Sequence, residues 1–149
     1  MLFRSGLPQS MYLPICFQIL HIPFCYENYD VGRLEAKYIS MKKSDLSLED
    51  RLELLTKSAA ELTTQEEPKW EKIAGRLLYY SFSRELRKTE ENFGITSFYE
   101  KLRYLTDEGL YGRYILENYT KKEVEKIAEM MEPDRNNLFT YAGLDLLTH

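Results

Sequence analysis

Leu48, Leu52, Leu55, Ala59 and Leu62 recur every three or four residues, the period of one face of an α-helix. Ser47 stands before them as a good N-cap, and Glu49 and Asp50 fall in the first turn, where the helix dipole favours acids. This spacing predicts a helix from Ser47 to about Thr63-Thr64. Pro68 suits the first turn of a second helix, where its missing N–H costs little. Trp70, Ile73, Ala74, Leu77 and Leu78 form the apolar stripe of that helix, extended by Phe82 and Leu86, and the charged run 84–91 closes it on a solvated face.

Gly94 interrupts the pattern, and Thr96 or Ser97 restarts it, with Phe98, Leu102 and Leu105 on one side of a short helix. Gly109 is placed to stop that helix, since glycine tolerates the left-handed conformation past a C-terminus. A short helix is predicted over 114–117. The run Thr120-Lys121-Lys122-Glu123 reads as a capping box and opens a helix with Val124, Ile127, Ala128 and Met131 inward. Pro133 ends it. Asp134 is expected to cap the next element, and Phe139, Ala142, Gly143 and Leu146 outline a last helix that the chain leaves unfinished.

Nothing from residue 45 onward alternates with period two for long enough to make a strand, and no repeat of solenoid length is present. The expected class is all-α, a compact bundle of five or six short helices over residues 45–149, preceded by an irregular segment over residues 1–44.

The first thirty residues differ in character from the rest. They hold three charges (Arg4, Glu27, Asp30), three prolines (Pro8, Pro14, Pro23) and both cysteines. The apolar run 11–24 resembles a secretory leader, but Pro14, Gln18, His21 and Pro23 interrupt it and no small-residue cleavage site comes after it. It is too short and too broken to span a membrane. Leu2-Phe3-Arg4-Ser5 is what the end of a common sequencing adapter encodes on translation. Residues 1–44 are therefore read either as partly artefactual or as the remnant of a preceding domain. Codons other than CTC-TTC-CGA-TCT at positions 2–5 would exclude the adapter.

Composition narrows the function more than it identifies it. Of 149 residues, 44% are apolar and 30% charged, a globular balance, and the net charge of −4 leaves no electrostatic footprint for nucleic acid. Cys16 and Cys25 form no CxxC motif, and His21 and His149 complete no ligand set, so no metal is expected. Two cysteines suit a reducing, cytoplasmic setting. There is no glycine-rich phosphate loop, no His-Glu-x-x-His and no legible Ser/His/Asp set. Glu66-Glu67 and Glu90-Glu91 have the residue type for acid–base work, and Tyr79-Tyr80 for a radical relay. Adjacent acids at helix ends are usually solvated surface, and paired tyrosines a half-buried helix face. No catalytic residue, cofactor site or metal site is assigned.

Three segments carry a resemblance. The first is Lys69-Trp70-Glu71-Lys72-Ile73-Ala74-Gly75-Arg76-Leu77-Leu78, with an aromatic residue, then a small one, then Arg-Leu. The second is Gly109-Leu110-Tyr111 followed by Leu116-Glu117-Asn118-Tyr119-Thr120. The third and most specific is Pro133-Asp134-Arg135-Asn136-Asn137-Leu138-Phe139-Thr140-Tyr141-Ala142-Gly143-Leu144. In this order and spacing they resemble the N-terminal helical region of class I ribonucleotide reductase large subunits, whose third segment reads Asp-Arg-Asp-x-x-Phe-x-Tyr. Asn136 stands where that family often has Asp.

The resemblance implies a fragment of an oxidoreductase that converts ribonucleoside diphosphates to deoxyribonucleotides through a thiyl radical and a redox-active cysteine pair. It implies a radical-generating small (beta) subunit as partner, thioredoxin or glutaredoxin as reductant, and ATP or dATP as allosteric effectors of the parent enzyme. The family's catalytic cysteines lie in a barrel and tail beyond this chain, and Cys16 and Cys25 match none of them. The basic strand pattern of an ATP cone is missing from residues 1–45, although residues 29–47 fit the end of one. The residues singled out are accordingly structural: Trp70, Arg76, Asp134, Arg135, Phe139 and Tyr141. Arg76 is read either as a bridge to a carboxylate or as a surface arginine, Asp134 and Arg135 as a helix start, and Phe139 and Tyr141 as packing residues. The competing view is a free-standing helical interaction or regulatory module.

Overall fold

The computed structural model describes residues 30–42 and 45–148. Every regular element among them is helical: seven α-helices and one 3₁₀ helix, with no strand. The described chain divides into two units. One takes the residues up to Tyr80 together with those from Phe139 onward, and the other is Ser81–Leu138.

In the first unit, α1 (Val31–Met41) starts at Asp30, whose side chain accepts the Arg33 N–H at 3.2 Å. α2 (Leu48–Glu61) starts at Ser47 through a full capping box: Ser47 Oγ accepts the Asp50 N–H at 3.1 Å, and Asp50 accepts the Ser47 N–H at 3.3 Å. α3 (Lys69–Phe93) begins just after Pro68 and contributes its residues up to Tyr80. α7 (Tyr141–Thr148) completes the unit.

The first core joins the stripes of three helices. Leu34 and Tyr38 come from α1; Leu52, Leu55, Ala59 and Leu62 from α2 and its end; Trp70, Ile73, Ala74 and Leu77 from α3. Tyr80 and Tyr141 pack against them. Each large apolar side chain so buried is worth roughly 1.5–3 kcal/mol. The buried hydroxyls of Thr56 and Ser58 donate to the Leu52 and Leu54 carbonyls at 2.8 and 2.7 Å, which removes the cost of hiding them from water.

The irregular reading of residues 1–44 is corrected over residues 31–41, which form α1; residues 1–29, 43 and 44 lie outside the described residues. Leu34 and Tyr38, one turn apart, make a narrow stripe that docks on α2. The Arg33–Glu67 and Lys37–Glu61 ion pairs fasten the helix at its rim. An eleven-residue helix is marginal alone, so tertiary packing holds it more than propensity does.

In the second unit, the rest of α3 runs to Phe93 and ends on Gly94. Gly94 has φ +62°, its N–H donates to the Glu91 carbonyl, and the Ile95 N–H donates to the Glu90 carbonyl. α4 (Phe98–Asp107) is capped by Ser97 and closes in the same left-handed way on Gly109, φ +76°. α5 (Tyr114–Asn118) is short, and α6 (Lys121–Glu129) opens on the Thr120–Glu123 capping box read from the sequence. The 3₁₀ helix Pro133–Leu138 comes next. α4 packs on α6 around Leu102, Thr106 and Val124, the buried residues of this unit. Glu90 pairs with Lys101, and the Phe93 and Tyr104 rings lie 4.9 Å apart.

Candidate functional site

Backbone from a distant part of the chain lies close against α3 at Gly75, on the buried face of that helix. A Cβ placed on Gly75 would lie 2.8 Å from the Phe139 carbonyl oxygen, 2.8 Å from the Thr140 carbonyl carbon and 2.9 Å from the Tyr141 nitrogen. Real Cβ atoms essentially never come that near other heavy atoms, so only glycine lets the 139–141 backbone lie directly on the helix. Thr140 then turns the chain into α7, its Oγ1 accepting the Gly143 N–H at 3.2 Å. Tyr141 packs against the first core, as Tyr80 does.

Four of the residues singled out from the sequence share this unit. Trp70 is 1% exposed, one turn before Gly75, and fills the centre of the core. Arg76 is buried and engaged by a neighbouring group, as a buried guanidinium must be. Phe139 and Tyr141 flank the Gly75 contact. Asp134 and Arg135 belong to the other unit, in the first turns of the 3₁₀ helix, where both are exposed. The residue that caps α7 is thus Thr140, not Asp134. The structural weight of Gly75 was not legible from spacing alone, because its contact lies far along the chain.

The electrostatics describe caps rather than chemistry. Glu125 of α6 accepts the Tyr99 N–H at 3.0 Å, which holds its carboxyl below the usual range and caps α4 from a different helix. Lys121 lies 5.8 Å from the centre of the Tyr99 ring. Backbone hydrogen bonds from Thr96 and Thr120 lower Glu100 and Glu123 in the same way. The hydrogen bond from Lys57 to Glu53 raises Lys57. A surface depression lined by Phe93, Gly94, Ile95, Glu100, Arg103, Tyr104 and Asp107 measures about 170 Å³, short of the roughly 300 Å³ at which small-molecule sites begin. Among the described residues no group of three or more His, Cys, Asp or Glu is gathered as for a metal. Arg33 and Lys37 of α1 are paired with Glu67 and Glu61. No described helix is long and apolar enough to cross a membrane.

No family model matches the chain. Individual relatives do. It is 43% identical over 124 residues to the ribonucleoside-diphosphate reductase subunit alpha of Treponema pallidum (strain Nichols), an alignment covering 83% of this chain and 15% of that protein. The chain is homologous to the N-terminal part of ribonucleoside-diphosphate reductase alpha subunits. The ribonucleoside-diphosphate reductase 1 subunit alpha of Escherichia coli (strain K12) is 26% identical over 80% of the chain and 15% of its own length. The subunit alpha of Enterobacteria phage T4 is 24% identical over 93% of the chain and 18% of its own length. The chain thus spans less than a fifth of the reductase alpha subunits it matches. Two of the segments that carry the reductase resemblance, 69–78 and 133–144, are the ones that meet at Gly75. The segment around 109–120 lies in the second unit.

Proposed function

We propose that the chain is a helical scaffold of a ribonucleoside-diphosphate reductase alpha subunit, and that the chemistry belongs to the rest of that subunit. The carrying observation is the 43% identity to the Treponema pallidum protein over most of this chain and a small part of that one. The geometry supports a scaffold: the buried residues and the caps of the described helices serve helix packing. The reductase-like helical domain is placed at residues 45–149, with α1 added to it and residues 1–44 otherwise an extension.

The whole enzyme reduces ribonucleoside diphosphates to deoxyribonucleotides in the cytoplasm. It works with a radical-generating small (beta) subunit and with thioredoxin or glutaredoxin. ATP and dATP act as its effectors.

Reading the gene past the His149 codon tests this. The expected result is an in-frame continuation that matches reductase alpha subunits and carries the catalytic cysteines. A stop codon at that point, with a 149-residue protein accumulating in cells, overturns the scaffold and favours a free-standing module.

A further inference from the structure

α4 and α6 pack on one another with little apolar burial. The buried apolar side chains they contribute are Leu102 and Val124. Thr106, 6% exposed, lies on the same face of α4 as Leu102, and its hydroxyl finds no hydrogen-bond partner among the described residues. A hydroxyl buried in that way weakens the joint rather than strengthening it. α5, between the two helices, buries nothing, and Leu110, Tyr111 and Tyr114 around it are exposed.

The joint is fastened by polar contacts at one end instead. Lys121 and Glu125 stand one turn apart on α6, on the side that also carries the buried Val124, and both engage Tyr99 of α4. Glu125 accepts the Tyr99 N–H at 3.0 Å, and Lys121 lies 5.8 Å from the centre of the Tyr99 ring. The same carboxylate draws on the Ser97 hydroxyl and the Phe98 N–H. Ser97 Oγ itself accepts only the Glu100 N–H, at 3.2 Å. The first turn of α4 is therefore completed by a helix that begins more than twenty residues later.

We propose that α4 and α6 form a clasped pair that opens and closes as one body while the first unit stays folded, with Glu125 as the fastener. When the Glu125 carboxylate leaves Tyr99, the few apolar contacts do not hold the helices together. Leu102, Thr106 and Val124 are then uncovered in a single step, and α4 does not merely fray at its first turn. The first unit has no such dependence, because its core joins the stripes of three helices.

Amide hydrogen exchange in the 149-residue chain tests the clasp, with the parent compared to Glu125→Gln. Charge-assisted hydrogen bonds are among the stronger ones, so exchange quickens about tenfold in the variant. The same factor is expected at residues 102–106 of α4 and at residues 125–129 of α6, while α2 stays within about twofold of the parent. Acceleration confined to residues 98–100 overturns the proposal, because Glu125 is then a cap and not a fastener. Equal acceleration across α2, α4 and α6 also overturns it, because the chain then opens only as a whole.

Where the variant fails to fold, exchange of the parent at rising urea concentrations below its unfolding transition decides. Amides of α4 and α6 that converge on one opening free energy, lower than that of α2, support the clasped pair. Separate values for α4 and α6, or one value shared with α2, refute it.

Discussion

Replacing Gly75 with alanine adds one methyl group at the point where two distant segments touch. In an ordinary helix interior the change is favourable by roughly 0.5–1 kcal/mol, because glycine loses more backbone freedom on folding. Here the new Cβ meets three backbone atoms at 2.8–2.9 Å, and none of them can rotate away as a side-chain tip would. To reach ordinary contact the 139–141 stretch must retreat by about half an ångström, which loosens Tyr141 from the core. Overpacking of this kind costs roughly 1–3 kcal/mol, so the clash outweighs the helix gain and Gly75→Ala is destabilising by about 1–2 kcal/mol. In a unit of this size each kcal/mol lowers the melting temperature by roughly 4–8 °C.

Urea denaturation followed by circular dichroism, with tryptophan emission as a second probe, measures the loss. The Tyr141→Ala variant then gives a cycle. If Gly75→Ala acts by displacing the 139–141 segment, the two losses fall short of additive by about 0.5 kcal/mol or more. A Gly75→Ala protein as stable as the parent, or more stable, refutes the contact, since helix propensity alone would produce that result.

The same packing sets further outcomes. Trp70 is the single tryptophan and is 1% exposed, so native emission is blue-shifted and resists acrylamide, and its red shift reports the first unit alone; a native spectrum already at the position of free tryptophan contradicts this core. Thr120→Ala removes the N-cap of α6 and lowers stability by roughly 0.5–2 kcal/mol in urea titrations, while Thr120→Ser restores most of it. Glu100, Glu123 and Glu125 have folded pKa values below their unfolded ones, so the stability they supply is complete above the ordinary carboxylate range and lost as pH falls through the lowered values. Acid titration of the second unit therefore shows stability dropping below about pH 4.5, and Glu125→Gln flattens that drop. Stability that does not change between pH 5 and 3 is inconsistent with these caps.

The elements legible in the sequence were those whose signals are local. Ser47, Gly94, Gly109 and the Thr120–Glu123 box each act within a few residues of themselves, and each stands at a helix boundary where the spacing placed it. α1 escaped because its stripe is two residues wide and Gly32 weakens its first turn; only docking on α2 makes it a helix. Glu125 looked like any surface acid, since the N–H it caps lies 26 residues earlier. Asp134 looked like the cap of the last helix, but the chain first completes a 3₁₀ helix and Thr140 takes that role. The family segments were visible as patterns. That two of them meet backbone to helix at a glycine is a tertiary fact no spacing contains.

The most direct measurement is reduction of a ribonucleoside diphosphate, followed by chromatography of the nucleotide products, with the small subunit and thioredoxin supplied. The alpha subunit encoded by the extended gene is predicted to form deoxyribonucleotide, and the 149-residue chain under the same conditions to form none. Deoxyribonucleotide from the short chain, or none from an extended subunit that is folded and bound to its small subunit, would contradict the account.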